Sequence, residues 1–138
     1  MTREVFVDAA AWVSVADRSD VHHEVAVACH RRLLNERRRL VTTNLVIAET
    51  HALILRYGGF QTAMGFLESV RPTLHLVKVF EDEALEADAE AILRRYSDQD
   101  FSLTDAVSFA LMHQRGIEEA FTFDSHFSTA GFVALPAV

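Results

Sequence analysis

The chain is short of residues that staple, break or anchor a fold. Its 138 residues include one cysteine (Cys29), two prolines and five glycines. One cysteine cannot close a disulfide within the chain, a usage that fits a reducing compartment. With so little glycine and proline, turns must be short. There is also no linker, repeat or low-complexity tract at which to divide the sequence. Residues 1–138 therefore read as a single domain, long enough to bury a core without staples. No stretch approaches the ~18 uncharged apolar residues of a membrane span. The opening MTREVFVD is interrupted by Asp8 too early for a signal peptide. These absences lead to the expectation of a soluble, cytoplasmic protein with no membrane partner.

Positive charge is scarce as well. Thirteen bases stand against 20 acids, a formal net charge of −7, and Lys78 is the one base that is not arginine. This balance argues against a protein that coats nucleic acid by bulk attraction. It leaves room for a site where cations offset clustered carboxylates.

Apolar residues make up 50% of the chain, enough for a filled interior. Strand-type runs fall at Val5–Val7, Leu40–Thr42, Leu74–Val79, Ala120–Phe123 and Phe132–Leu135. Helical patterns lie between them, at Ala10–Val15, Val21–Glu36, Leu45–Tyr57, Phe60–Val70, Glu83–Tyr96 and Thr104–Gln114. Gly58-Gly59 is a break, and Gly116 a C-terminal stop. Strands that alternate with helices pair in parallel through right-handed crossovers. The predicted fold class is α/β, a three-layer α/β/α sandwich with a mostly parallel central sheet of about five strands.

In such sheets ligands bind beyond the carboxyl ends of the strands. VFVD and AFTFD each bring an aspartate, Asp8 and Asp124, to that edge. Each also has a structural reading as a helix N-cap. Asp105, in SLTD, has the spacing of a capping box with Ser102. Glu49 is set in the apolar phrase TNLVIAETHALIL, whose neighbours Ile47, Ala48, Ala52 and Leu53 suggest a buried helix. A buried lone carboxylate costs several kcal/mol unless a base or a cation meets it. Four carboxylates converging on one edge repel one another. Hard divalent cations with oxygen ligands, Mg²⁺ or Mn²⁺, relieve that repulsion. Two such ions about 4 Å apart can support phosphodiester cleavage.

In order, the phrases VFVD, TTNLVIAE, DFSLTDAVSFALM and AFTFDSHF resemble the PIN-domain ribonucleases, above all the VapC toxins of bacterial toxin–antitoxin pairs. The resemblance runs from Val5 to about Phe132. It implies a metal-dependent endoribonuclease whose acidic quartet is Asp8, Glu49, Asp105 and Asp124, with Mg²⁺ or Mn²⁺ as cofactor. Cleavage in that family leaves 5′-phosphate and 3′-hydroxyl ends. The implied partners are an RNA substrate, transfer RNA as a family-level expectation, a cognate antitoxin and a second copy in a homodimer. The antitoxin groove is expected on helices Val21–Glu36 or Leu45–Tyr57.

One departure stands out. Many members follow the first aspartate with a hydroxyl residue, whereas Asp8 is followed by Ala9, Ala10 and Ala11. Ser14 or Ser125 is the expected substitute, and Thr122 a candidate hydrogen-bonding neighbour. Asn44 reads first as a helix cap, His126 as a residue packed at the sheet edge or in solvent, and Asp98 and Asp100 as solvated loop acids. Arginines at Arg31-Arg32, Arg37-Arg38-Arg39 and Arg94-Arg95 read as solvated helix ends, with a phosphate-gripping rim as the alternative. Receiver domains and haloacid-dehalogenase phosphatases are excluded. No phosphoacceptor aspartate precedes Lys78 in the receiver pattern, and Ala10 fills the second-aspartate position of the phosphatases. The remaining rival is a catalytically silent PIN-like module that binds RNA or protein.

Overall fold

A computed structural model describes residues 3–137. Five strands form one parallel sheet in the order β3-β2-β1-β4-β5. They are β1 (Glu4–Val7), β2 (Arg39–Thr43), β3 (Leu76–Val79), β4 (Glu119–Phe121) and β5 (Val133–Leu135). Six helices accompany them: α1 (Ala9–Ala16), α2 (His23–Asn35), α3 (Asn44–Ser69), α4 (Glu83–Arg95), α5 (Leu103–Arg115) and α6 (His126–Thr129). The connections β1→β2→β3 run one way along the sheet, and β3→β4→β5 run back past β1 to the far edge. With right-handed crossovers, α1–α3 cover one face and α4–α6 the other. The packing agrees: α1 lies against α2 and α3, and α5 against α4 and α6. The expected sandwich is present, with every strand pair parallel.

Sequence explains the layers. Val5, Phe6 and Val7 are fully buried, as a central strand covered on both faces requires. They share one core cluster with Phe109, Met112, Phe121 and Phe127, all closed off from solvent. Every residue of α5 from Ala106 to Met112 is buried, so this helix is covered all round rather than along one stripe. Gly116 ends it at φ 68°, a left-handed cap that glycine adopts without steric cost. The break expected at Gly58-Gly59 is a bend within α3, where Gly59 takes φ 86° and ψ 175°.

The boundaries correct several expectations. The predicted face of α3 at Leu45, Ala48, Ala52 and Leu55 is not the buried one. Ala48, Ala52 and Leu55 are exposed, and the helix buries Val46, Ile47, Thr50 and Ile54 instead. Asn44 does not cap α3. Thr43 does, its side chain accepting from the Val46 amide, while Asn44 Oδ1 accepts from the Glu81 amide and ties the exit of β3 to α3. β3 starts at Leu76 rather than Leu74, which is 82% exposed. Short α6 is the helix that the N-cap reading of Asp124 implied, although Ser125 rather than Asp124 takes the cap position.

The Arg37-Arg38-Arg39 cluster does not form a rim beside the strand-end acids. Arg38 and Arg39 stand at the beginning of β2, the edge opposite Asp8, where Arg38 pairs with Glu119 and Arg39 with Glu4. Arg115 adds a bidentate bond to Glu4 at 2.8 and 3.0 Å. These guanidinium groups brace the amino-terminal edge of the sheet.

Candidate active site

The strand order reverses between β1 and β4, and ligands bind at the carboxyl end of such a switch point. Phe6 lies opposite Ala120 and Val7 opposite Phe121. The next amide, that of Asp8, donates to the Phe121 carbonyl at 3.1 Å. Asp8 and the TFD turn after β4 are thus forced side by side. Two apolar strands more than a hundred residues apart end on acids because both ends open into this cleft.

Asp8 is 6% exposed. It has the backbone form of an N-cap for α1, but its side chain makes no cap bond. Instead Asp8 Oδ2 accepts from the Thr122 hydroxyl at 2.9 Å, and the same hydroxyl accepts from the Asp124 amide at 2.9 Å. Thr122 therefore supplies the hydroxyl missing after Asp8. Ser14 does not substitute, because its hydroxyl donates to Asp20 at 2.9 Å. Burial, reinforced by the negative charges of Asp105 and Asp124, pushes the Asp8 carboxyl up to about 6, even though the Thr122 and Ala9 hydrogen bonds pull it down.

Asp105 caps its helix and also faces the cleft. It closes a capping box with Ser102: the Asp105 amide donates to the Ser102 hydroxyl, and Asp105 Oδ2 accepts from the Ser102 amide. The same Oδ2 lies 2.9 Å from His126 Nδ1. Asp124 Oδ1 accepts from the His126 amide at 2.9 Å and lies 3.5 Å from His126 Nδ1. Asp105, Asp124 and His126 each present a ligand-type atom within 4.8 Å of the others. The far nitrogen of His126, Nε2, reaches Asp100 Oδ1 at 3.1 Å. Burial alone would lower the His126 imidazole, but the Asp105 hydrogen bond and the charges of Asp124, Asp105 and Asp100 hold it above its ordinary value.

Glu49 does not lie in the interior. It stands exposed on the second turn of α3. Partial shielding, with the charges of Asp105 and Asp124, raises its carboxyl above the ordinary range, so it shares their field. Among the described residues it has no ion-pair partner. The structure thus sets Asp105 and Asp124 close together around His126, places Asp8 beside them within reach of their charges, and leaves Glu49 at the rim. It also adds His126, with Asp100 behind it. Trp12 stays clear of the cleft, buried and donating through Nε1 to Thr42 at 3.4 Å.

This construction predicts a specific cost. Thr122→Val removes the donor to a buried carboxylate and strands the Asp124 amide. The expected loss of folding stability is about 1–3 kcal/mol, read as a lower urea midpoint with an unchanged slope. A midpoint within error of wild type would mean the Thr122 hydroxyl does not hold Asp8.

Fold and cleft together define a parallel α/β protein with convergent carboxylates at its topological switch point, a donor set suited to hard cations. The chain belongs to the PIN domain family, whose model matches residues 5–133. Among curated proteins it is similar to the 23S rRNA-specific endonuclease VapC20 of Mycobacterium tuberculosis strains CDC 1551 / Oshkosh and ATCC 25618 / H37Rv. It is 34% identical to each over 134 residues, 94% of this chain and 95% of the relative. Among solved structures it matches crystalline M. tuberculosis VapC20, described as a sarcin-ricin loop cleaving toxin, with a TM-score of 0.83 and 32% identity. That match covers 94% of this chain and 96% of the other.

Proposed function

We propose that the chain, acting as a single domain, is a divalent-metal-dependent endoribonuclease and the toxin of a toxin–antitoxin pair. Its proposed target is a 23S rRNA loop rather than transfer RNA. The observation that carries this reading is the Asp105–Asp124 cluster at the switch point with Asp8 buried in its field, in a chain a third identical to a 23S rRNA endonuclease along nearly its whole length. A carboxyl pushed up to about 6 by burial and by two neighbouring acids is a group short of positive charge, and Mg²⁺ or Mn²⁺ fits that need. Asp8, Asp105 and Asp124 would hold the cation, with Glu49 contacting it or its water from the rim. When bound, such an ion makes water a stronger nucleophile and stabilises the leaving oxygen of an in-line displacement.

The chain's own groups prepare the site. Thr122 fixes the Asp8 carboxylate and orders the turn that presents Asp124. The capping box and His126 fix Asp105 from two directions. His126, held toward its charged form, offsets part of the acidic field. Asp100 orients its ring from behind.

The same reading includes a cytoplasmic location, a cognate antitoxin that holds the toxin, and a homodimer. Tyr57 and Phe60, 72% and 64% exposed at the bend of α3, are apolar surface of the kind a partner chain covers. Removal of metal tests the reading directly. Protein dialysed against EDTA should leave RNA intact, and added Mn²⁺ or Mg²⁺ should restore cleavage with 5′-phosphate ends. Calorimetry should show Mn²⁺ binding to the wild type that disappears in Asp8→Asn. Cleavage that persists in EDTA would refute the metal-dependent reading. Absence of both cleavage and Mn²⁺ binding would leave the silent binding module.

A further inference from the structure

Beside the acids lies a second feature that the proposed chemistry does not use. A cavity of about 460 Å³ opens next to Asp124, bounded by His22 and Val25 of the α2 entry, by Phe123, and by Ser125, Ser128 and Pro136. That volume falls within the roughly 300–1,000 Å³ of small-ligand pockets. Its wall carries a stacked aromatic pair. The His22 and Phe123 rings are 4.4 Å apart and 3° from parallel, with His22 exposed. Thr122 and Asp124 line this cavity and also belong to the acidic cleft, so the cavity borders the cleft.

We propose that this cavity is a nucleobase subsite, which takes one unstacked base of the RNA beside the phosphate that is cut. The inference rests on the endoribonuclease reading and deepens it. Three observations select this occupant. The lining contains no arginine or lysine, and it adjoins a cluster of carboxylates, so an anionic group is disfavoured there. The guanidinium groups of Arg38, Arg39 and Arg115 are engaged by acids at the opposite edge of the sheet. Those three groups are thus unavailable to grip RNA beside this cavity. A planar neutral base suits such a lining: it stacks on aromatic rings and hydrogen-bonds to hydroxyls such as those of Ser125 and Ser128. Proteins read single-stranded loops of RNA in this way.

The test begins with cut ends mapped after Mn²⁺-dependent digestion of total RNA by the full chain. A stem-loop oligonucleotide spanning the mapped site then carries 2-aminopurine at each position flanking the cut in turn. Bound to the inactive Asp105→Asn protein, one flanking position should be quenched by stacking. Phe123→Leu, which keeps apolar bulk but loses the ring, should remove that quench and weaken binding about tenfold. Placed in the otherwise wild-type chain, Phe123→Leu and His22→Ala should each flatten the base preference at that position while leaving the cut metal-dependent. Unquenched probes at every flanking position, or both variants cutting with wild-type preference and kcat/KM, would overturn the subsite and leave the nuclease reading standing. A change in sedimentation without a change in RNA affinity would assign the pocket to a second copy and likewise overturn it. A wild-type chain that cuts no RNA would overturn both.

Discussion

Asp105→Asn is expected to cut RNA at least about a thousandfold more slowly than the wild type while keeping its fold. The two halves have separate causes. Asparagine still offers an oxygen to the Ser102 amide and to His126, so the box that starts α5 survives. The buried run Ala106–Met112 is untouched. What disappears is one negative charge from the centre of the cleft. Where a bound cation carries several kcal/mol of transition-state stabilisation, weakening its seat by about 4 kcal/mol slows turnover about a thousandfold. Asp124→Ala should match it. Glu49→Gln should cost less, roughly tenfold, because Glu49 stands exposed at the rim rather than in the gathered set. Cleavage of a labelled RNA in Mn²⁺ checks the rates, and circular dichroism checks the fold. The same variants should abolish the growth arrest caused by expressing the chain without its partner. A highly purified Asp105→Asn protein within tenfold of wild type would defeat the site assignment.

The reach of the sequence differed from element to element, for physical reasons. β1 and β4 were legible because short runs of Val and Phe bounded by acids have few alternatives. The order of connections then followed from parallel pairing. Asp8, Asp105 and Asp124 could be placed because each follows a strand or starts a helix, and those signals are local. Glu49 was located correctly but assigned the wrong environment. α3 is apolar on two overlapping stripes, and residue spacing alone does not decide between Ala48-Ala52-Leu55 and Val46-Thr50-Ile54. Packing against α1 decides it. His126 was undervalued because its partners, Asp100 and Asp105, lie before and at the start of α5 and meet it only through the tertiary fold. Its helix, four residues long, is too brief to show a period. Thr122 reads in the sequence as a candidate hydrogen-bonding neighbour, and it is one, but its bond to Asp8 spans 114 positions of the chain and no local pattern names that partner. The one sequence signal for it was negative, the alanines after Asp8 that left a hydroxyl to be supplied from elsewhere.

Asp8→Asn should make the metal-free protein more stable at pH 7.5 and no more stable near pH 3.5. The Asp8 carboxyl sits at about 6 in the fold against an ordinary value of 3.8. The folded state therefore holds its proton more tightly than the unfolded chain does. Between about pH 4 and pH 6 the fold carries more protons, and stability falls as pH rises through that window. Above it the penalty is complete. Holding an ionised carboxylate in this setting costs the fold roughly 3 kcal/mol, most of it from burial of the charge. Asparagine is uncharged at every pH and can still accept from Thr122, so it escapes the penalty, and the expected gain is about 2–3 kcal/mol. At pH 3.5 both proteins are neutral at this position in the fold and the difference should vanish. Saturating Mn²⁺ should reverse the order at pH 7.5. A ligand at a thousandfold its Kd stabilises only the protein that binds it, by about 4.1 kcal/mol, which exceeds that gain. Urea midpoints at the two pH values, with EDTA or with Mn²⁺, give the four comparisons needed. An equal gain at both pH values would trace the effect to packing rather than to charge. A loss at pH 7.5 without metal would mean Asp8 is not held as an unneutralised carboxylate. If the crossover appears, one acid accounts for both observations: the instability it imposes on the empty fold is the repulsion and desolvation that a bound cation relieves.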